Sequence, residues 1–266
     1  MKVGIVGFGT IGFEVGKRID QGVEDFNLIG ISSRTKINVL KKISSFKIKP
    51  EVFSLEDLCR KSDVIIDCAP KDAFKEILQN CLKNQKKIIT ISGSGILQNF
   101  KTVLSANQFN TQVILASGAI LGLDGLRAAS EGKIFSVKMI TKKPPNALKF
   151  SKYVIENKIS LAKLSKSKMI FKGSATEGAK AFPANVNVAA AVGLAGIGPD
   201  KTNLEIWADP KLSRNTHKVV VKSDSADFEI KIKNVQSIEN PGTGKITALS
   251  VIACLRGMKS PLKSGT

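Results

Sequence analysis

Histidine is almost missing from this sequence: His217 is the only one among 266 residues. Cysteine is scarce as well, and the four cysteines form no CxxC pair and no spacing typical of metal ligands. We therefore expect free, buried thiols and no metal site. No apolar run approaches the roughly 20 residues that cross a bilayer, and the first residues lack the layout of a signal peptide. These absences predict a cytoplasmic protein without a membrane partner.

Acidic residues are also few: 22 stand against 41 lysines and arginines, for a formal net charge of +19. Such an excess of positive charge suits a nucleic acid or an anionic small molecule. The lysines, however, are scattered along the whole chain, without a basic stripe interleaved with aromatic residues. We therefore expect mostly solvated surface lysines and no nucleic-acid partner. A hydrophobic content of 42% with 24% charged residues predicts a globular protein with a sizeable core.

The first part of the chain alternates short β-branched runs with longer stretches of mixed polarity. This pattern is typical of βαβ units, and the runs are apolar enough for a parallel sheet covered by helices on both faces. The predicted strands are residues 2–6, 28–32, 64–68, 87–91 and 113–116. We therefore predict a doubly wound domain over residues 1–117.

Beyond about Gly118 the pattern changes to period two. Phe228, Ile230 and Ile232 are separated by polar residues, which indicates a mixed or antiparallel sheet with one wet face. Residues 186–196 and 247–255 are predicted as apolar helices. We expect an α+β substrate domain over residues 118–244 and a C-terminal helix, in residues 245–266, that packs back on the first domain.

Residues 7–12 read Gly-Phe-Gly-Thr-Ile-Gly and lie between a predicted strand and a predicted helix, the context that the GxGxxG motif requires. Gly7 allows a tight turn, Gly9 lets a pyrophosphate approach the backbone, and Gly12 lets helix and strand pack closely. Thr10 and Ile11 open the helix and offer N–H groups to phosphates. The motif predicts a Rossmann domain that binds a dinucleotide; the alternative is the same scaffold without a ligand.

The end of the second predicted strand holds no carboxylate that could accept from the ribose 2′-hydroxyl of NAD. Ser33 and Arg34 stand there instead, and a hydroxyl with a guanidinium suits a 2′-phosphate. We therefore predict NADP as the preferred cofactor, with NAD as the other choice and a solvated Arg34 as the alternative. Ala69, after the third predicted strand, is small enough for a flat ring to lie against the backbone, although small residues are also ordinary in turns at strand ends.

Six segments, in order, carry a resemblance to a known family: SGAILGLDGL at 117–126, KPP at 143–145, FPANVNVAA at 182–190, LAGIG at 194–198, ADP at 208–210 and NTH at 215–217. Through them nearly the whole chain resembles the L-aspartate dehydrogenases. The resemblance implies oxidative deamination of L-aspartate to iminoaspartate with NAD(P)⁺, in a homodimer or a higher assembly. It also implies that His217 is the catalytic residue and that Ala119 and Asn187 touch the cofactor.

One loop departs from the family pattern. Members commonly read NPKTS where residues 240–245 read Asn-Pro-Gly-Thr-Gly-Lys. A dicarboxylate substrate needs cationic or N–H-rich partners, and Lys143, Thr243 and Lys245 are the candidates. The alternative for the loop is a glycine-rich approach to the helix that follows.

His217 fits the chemistry, because forming the C=N bond requires a base that is active near neutral pH, and imidazole meets that need. Taken alone, it is equally a core or surface histidine at the start of a strand over residues 218–221. Two other functions stay open from sequence. One is another two-domain Rossmann oxidoreductase, related to dihydrodipicolinate reductase or homoserine dehydrogenase, and the other is an NADP-binding sensor without catalysis.

Overall fold

A computed structural model describes residues 1–182, 187–237, 239–240 and 243–265. The chain divides into two compact units, which we describe separately. The first unit comprises Met1–Gly118 and Thr247–Lys263, and the second comprises Ala119–Ile246 and Ser264–Thr266. Among the described residues, no helix has both the length and the apolar character that a membrane span needs.

The first unit is built on a six-stranded sheet in which every pairing is parallel. Its strand order, β3-β2-β1-β4-β5-β6, is that of a Rossmann fold. The strands are β1 (Lys2–Val6), β2 (Asn27–Ser32), β3 (Glu51–Val52), β4 (Val64–Asp67), β5 (Lys87–Thr90) and β6 (Val113–Leu115). The predicted parallel sheet is thus confirmed, with strand ends that differ by about one residue. The two-residue edge strand β3 is too short to leave a sequence pattern.

Helices cover the sheet of the first unit because its strands are apolar toward both faces. The helices are α1 (Thr10–Gly22), α2 (Lys36–Ile43), α3 (Leu55–Lys61), α4 (Phe74–Lys83), α5 (Gly93–Gln98), α6 (Phe100–Leu104) and, from the end of the chain, α11 (Ile246–Lys259). Val251 and Leu255 of α11 are fully buried in one core cluster with Val3, Ile5 and Ile66 of the sheet. The first unit therefore draws its core from both ends of the sequence.

The second unit is built on a mixed five-stranded sheet of order β11-β10-β7-β9-β8. The strands are β7 (Ile134–Lys143), β8 (Lys168–Ser174), β9 (Asn203–Ala208), β10 (Thr216–Ser223) and β11 (Asp227–Lys233), and the helices are α7 (Leu123–Ser130), α8 (Lys152–Glu156), α9 (Ala175–Ala181) and α10 (Asn187–Ala195). Among the described pairings of this second sheet, only that of β7 with β9 is parallel. The predicted mixed sheet is confirmed, and Val186, the first residue of a predicted helix, lies outside the described residues.

Side chains of alternate residues on the central strands β7 and β10 are buried. Val137, Met139, Val219 and Val221 form the apolar part of this face, as period-two alternation requires. On the edge strand β11 the alternation is also as predicted, with half-buried apolar residues between exposed polar ones. We call the buried side of β7 and β10 the inner face.

All four cysteines are free, as expected. Cys59 and Cys81 are buried, but Cys68 and Cys254 are partly exposed. The expectation that all four are buried is therefore wrong for two of them. Cys68 lies just beyond the end of β4, and Cys254 is on α11, a helix with one exposed side.

Candidate functional site

The glycine loop joins β1 to α1, and its three motif glycines differ in the space around them. Gly7 has a φ of +83°, and a Cβ added there would lie 2.6 Å from the backbone nitrogen of Ala69. A Cβ at Gly12 would collide with the carbonyl oxygen of Gly7. Around Gly9 a Cβ would meet nothing within 4 Å. The packing of the protein itself thus requires glycine at Gly7 and Gly12, whereas the space around Gly9 is open to a ligand.

Helix α1 begins directly after this open position. Gly9 is its N-cap and supplies no side-chain hydrogen bond, and the first turn contains no acidic residue. The first N–H groups of an α-helix have no partners within the helix, and together with the helix dipole they favour an anion. Thr10 and Ile11 therefore present a site that fits a pyrophosphate.

Ser33 and Arg34 follow β2, the strand that pairs with β1 in the sheet. The turn is joined to the glycine loop by a hydrogen bond from the Gly7 nitrogen to the Ser32 carbonyl, 2.9 Å long. Ser33 is half-buried and Arg34 is exposed. The two residues thus stand at the same carboxyl edge of the sheet as the glycines, with the guanidinium open to a ligand.

Asp67 is a residue at this edge that sequence analysis missed. It ends β4 and is only 1% exposed. Its two carboxylate oxygens accept from the Ala69 nitrogen at 3.0 Å and from the Thr90 hydroxyl at 2.7 Å. Thr90 in turn accepts from the Ser92 nitrogen at 2.9 Å. Burial raises the pKa of Asp67 to about 6, opposed by these hydrogen bonds. The carboxylate thus fixes the turns after β4 and β5, including Ala69, a predicted site residue. The sequence signal that could have indicated Asp67 is an acidic residue at the end of an otherwise apolar strand.

In the second unit, His217 lies inside β10 as its second residue, one residue after the strand begins at Thr216. The prediction that it precedes a strand at Lys218 is therefore wrong by two residues. It pairs directly with Thr141 of β7, and the Thr141 hydroxyl oxygen lies 3.1 Å from Nδ1 of the imidazole. Both side chains are buried, with His217 4% exposed. One ring nitrogen is thus held by the neighbouring strand.

Lys143 lies two residues beyond Thr141 on β7, hence on the same inner face. It is 7% exposed, and burial lowers the pKa of its ammonium to about 8. Burial and, secondarily, the Lys143 charge lower the pKa of His217 to about 4. Near neutral pH the pair therefore consists of a neutral imidazole beside a largely protonated lysine. The structure thus brings together two of the predicted site residues and adds Thr141, which sequence analysis missed.

Asn234 connects three parts of the second unit. Its side-chain nitrogen donates to the Ala119 carbonyl at 3.1 Å, and its backbone nitrogen donates to the Asn215 carbonyl at 3.0 Å. A Cβ at Gly244 would lie 3.3 Å from its side-chain oxygen. Predicted Ala119 is thus tied to the start of β10 and to the loop before α11. Sequence analysis missed Asn234, because only the strand register brings it here.

The remaining predicted site residues of the second unit are Asn187, Thr243 and Lys245. Asn187 is the first residue of α10. Thr243 is half-buried. Its backbone nitrogen donates to the Asn240 carbonyl, and its carbonyl accepts from the Ser237 nitrogen. Lys245 is exposed, and its backbone nitrogen donates to the Val235 carbonyl at 2.8 Å. In the motif segments, residues 183–186 and 241–242 lie outside the described residues. No group of three or more histidine, cysteine, aspartate or glutamate residues in the described ranges is arranged to hold a metal ion.

Two family models match successive parts of the chain. Residues 7–116 match the family "Homoserine dehydrogenase, NAD binding domain". Residues 124–258 match the family "Aspartate dehydrogenase, C-terminal". The glycine loop falls in the first match, and Thr141, Lys143 and His217 fall in the second.

Full-length relatives agree with the second match. The chain is 40% identical to an L-aspartate dehydrogenase of Bradyrhizobium diazoefficiens, covering 100% of this chain and 94% of the relative. It is 37% identical to an L-aspartate dehydrogenase of Methanosarcina acetivorans, with 100% of both chains covered. The crystal structure of an aspartate dehydrogenase from Thermotoga maritima superposes with a TM-score of 0.78 at 27% identity, covering 100% of this chain and 99% of that one.

Proposed function

The chain belongs to the L-aspartate dehydrogenase family of nicotinamide-dependent oxidoreductases, and we propose that it oxidises L-aspartate to iminoaspartate with NAD(P)⁺. Hydrolysis of the imine then gives oxaloacetate and ammonia. One observation carries the proposal: a buried imidazole and a buried ammonium share the inner face of β7 and β10, within the part that matches the aspartate dehydrogenase family. The reaction needs a general base that takes a proton from the substrate and a cation that binds its carboxylate.

For the dinucleotide, the first unit supplies residues that fit each part. The space at Gly9 and the start of α1 suit the pyrophosphate, with Gly7, Gly12, Thr10 and Ile11 shaping that site. When bound, the nicotinamide supplies the hydride acceptor.

The remaining cofactor contacts are also part of the proposal. Ser33 and Arg34 suit a 2′-phosphate and favour NADP over NAD. Ala69, Ala119 and Asn187 are assigned to the nicotinamide end, Ala69 because its backbone is fixed by Asp67. The amide of Asn187 has both a donor and an acceptor to offer.

Proton transfer is assigned to His217. Loss of a hydride from Cα and of one proton from the ammonium turns CH–NH₃⁺ into C=NH₂⁺. With the Thr141 hydroxyl accepting from Nδ1–H, the other ring nitrogen, Nε2, carries the lone pair that takes this proton. A neutral imidazole is the form that can act as a base, and the lowered pKa of His217 keeps it neutral at pH 7.

Substrate binding adjusts this base. Lys143, which shares the inner face with His217, binds a carboxylate of L-aspartate in this account, whereas Thr243 and Lys245 stay proposals of the loop before α11. A carboxylate on Lys143 offsets the charge that helps to lower the pKa of His217. The imidazole thus becomes a better proton acceptor when the substrate is present.

The test is a substrate panel with the purified protein. L-Aspartate is supplied with NADP⁺ or NAD⁺, and oxaloacetate with ammonia and NADPH or NADH, while the absorbance of the reduced cofactor is followed. Turnover of L-aspartate in one direction and of oxaloacetate plus ammonia in the other supports the proposal. Homoserine is the essential comparison, because the first unit matches a homoserine dehydrogenase domain. Turnover of homoserine without L-aspartate replaces this function with the alternative.

The assembly and location follow the family and the sequence respectively. We propose a homodimer. Light scattering coupled to size-exclusion chromatography measures the mass of the assembly and tests this proposal directly. A cytoplasmic location stays a prediction from composition, and fractionation of cells that express the protein tests it.

A further inference from the structure

Asn215 stands immediately before β10 and has an unusual feature. Its side-chain oxygen is buried and has no hydrogen-bond partner among the described residues. A buried acceptor without a donor is unfavourable, and such groups call for an explanation. We propose that this oxygen accepts a hydrogen bond from the α-amino group of the substrate, so that Asn215 selects an amino acid. The proposal rests on the function proposed above.

The strand register places Asn215 with the site residues. On β10, Thr216 pairs with Lys142 of β7 and with Lys233 of β11. Extending both ladders by one residue sets Asn215 opposite Lys143 on one side and Asn234 on the other. The hydrogen bond from the Asn234 nitrogen to the Asn215 carbonyl, 3.0 Å long, shows that the β11 ladder does continue.

Side-chain alternation then decides which face Asn215 occupies. Continuing the period-two alternation of β10 by one residue beyond its start puts Asn215 on the same face as His217. Directly opposed side chains have Cβ atoms about 5 Å apart. The inner face therefore presents two opposed pairs in succession, Thr141 with His217 and Lys143 with Asn215, at one end of the sheet.

The chemistry of these groups divides the substrate between them. An amide oxygen only accepts hydrogen bonds, so it repels a carboxylate and binds an N–H donor. The Lys143 ammonium only donates, so it binds a carboxylate and repels an ammonium. L-Aspartate carries both kinds of group on one small skeleton. Lys143 and Asn215 side by side are thus complementary to an amino acid, whereas Lys143 alone accepts any carboxylate.

The oxygen is within reach of a bound amine because Asn215 as a whole is half-buried. The oxygen keeps its buried position, and the ammonium approaches it past the exposed part of the residue. An ammonium offers the hydrogen-bond donor that none of the described residues supplies to this oxygen.

The experiment separates recognition of the amine from recognition of the carboxylates. Steady-state kinetics of the full-length protein give KM for L-aspartate and, in the reverse direction, separate KM values for ammonia and oxaloacetate. Succinate, a dicarboxylate without an amine, is titrated as an inhibitor. Asn215→Leu keeps the approximate size of the side chain and removes the acceptor. Asn215→Asp keeps an acceptor and adds a negative charge opposite Lys143.

The two variants have opposite expected signatures. Asn215→Leu raises KM for L-aspartate and for ammonia by about 10- to 100-fold, the loss expected for a hydrogen bond to a charged group. It leaves KM for oxaloacetate and inhibition by succinate within about twofold. Asn215→Asp weakens oxaloacetate and succinate, because its carboxylate competes for Lys143, and leaves KM for ammonia near the wild-type value. Asn215→Ala replaces the leucine variant if that protein does not fold.

Equal losses for all four ligands in Asn215→Leu mean that the residue is only structural and overturn the proposal. An unchanged KM for ammonia overturns it as well. Failure of the proposed function gives a different result, because the wild-type protein itself then turns over no L-aspartate, and the assignment of Asn215 falls with it.

Discussion

The hydroxyl of Thr141 lies 3.1 Å from Nδ1 of His217, on two strands that pair residue by residue. A threonine hydroxyl can accept from a protonated Nδ1 and so leave Nε2 as the basic nitrogen. We therefore propose Thr141 as a positioning residue whose hydroxyl fixes the orientation of the imidazole.

Replacing Thr141 tests this role. Thr141→Val keeps the shape of the side chain and removes the oxygen, so we expect kcat to fall by about tenfold, with little change in KM for L-aspartate, because the loss is that of one hydrogen bond to the base. Thr141→Ser retains the hydroxyl and is the matched control, expected to keep most of the activity. Equal activity of the valine variant and the wild type contradicts a positioning role.

Burial of the Lys143 ammonium is expected to lower the free energy of unfolding, although this residue is proposed to bind the substrate. Its pKa in the folded protein is about 8, against an ordinary value of about 10.4. Below pH 8 both folded and unfolded states hold the proton, and the full cost, up to about 3 kcal/mol, is present. Between pH 8 and about 10.4 the unfolded state binds more protons, so stability rises with pH.

Lys143→Met removes that cost. We expect a larger free energy of unfolding at pH 7, a smaller rise of stability between pH 8 and 10, and a KM for L-aspartate at least about tenfold higher. Urea unfolding at pH 7, 8, 9 and 10 measures the first two effects. Lys142→Met, on the other face of β7, is the control, because Lys142 is more exposed and pairs with Asp209. A methionine variant less stable than the wild type at pH 7 contradicts this account.

The glycine loop offers a separation of folding from binding. Gly9 has an ordinary backbone conformation, with φ −75°, and its Cβ position is open. Gly9→Ala is therefore expected to fold with unchanged stability and to bind NADP⁺ at least about tenfold more weakly, because the methyl group occupies the approach of the pyrophosphate. Gly7→Ala is expected to lose stability, from its φ of +83° and its contact with Ala69.

The control for these variants is Gly257→Ala on α11, where a Cβ also meets nothing within 4 Å. It is expected to bind NADP⁺ like the wild type and to gain up to about 1 kcal/mol of stability from helix propensity. Titration of cofactor fluorescence gives the affinities and thermal unfolding gives the stabilities. Normal NADP⁺ binding by Gly9→Ala means that the loop does not hold the pyrophosphate.

Arg34 decides the choice between the two cofactors in this account. Arg34→Ala removes the guanidinium that suits the 2′-phosphate, so kcat/KM for NADP⁺ is expected to fall by about 10- to 100-fold while that for NAD⁺ stays within about twofold. Arg60→Ala removes the same charge where the guanidinium pairs with Asp57, and it is expected to leave both values unchanged. A wild type that prefers NAD⁺, or an equal loss with both cofactors, contradicts the prediction.

The sheet of the first unit was predictable because buried parallel strands appear in the sequence as continuous apolar runs between turns. The glycine loop was predictable because its residues are neighbours in sequence. Thr141 was not, since it is 76 residues from His217 and meets it only through strand register. Asn234 was missed for the same reason, whereas Asn215 stood in the NTH segment at 215–217 without an assigned role. Asp67 was missed because a carboxylate at the end of an apolar strand acquires meaning only when Ala69 and Thr90 are seen to donate to it.

The central claim, that His217 is the proton acceptor in oxidation of L-aspartate, is tested most directly by single-turnover and steady-state rates of wild type and His217→Gln with L-aspartate and NADP⁺. We expect the wild type to reduce NADP⁺, and the variant to bind NADP⁺ with unchanged affinity but to turn over about 10²- to 10⁴-fold more slowly, the usual contribution of a general base. Turnover by the variant at the wild-type rate would contradict the account.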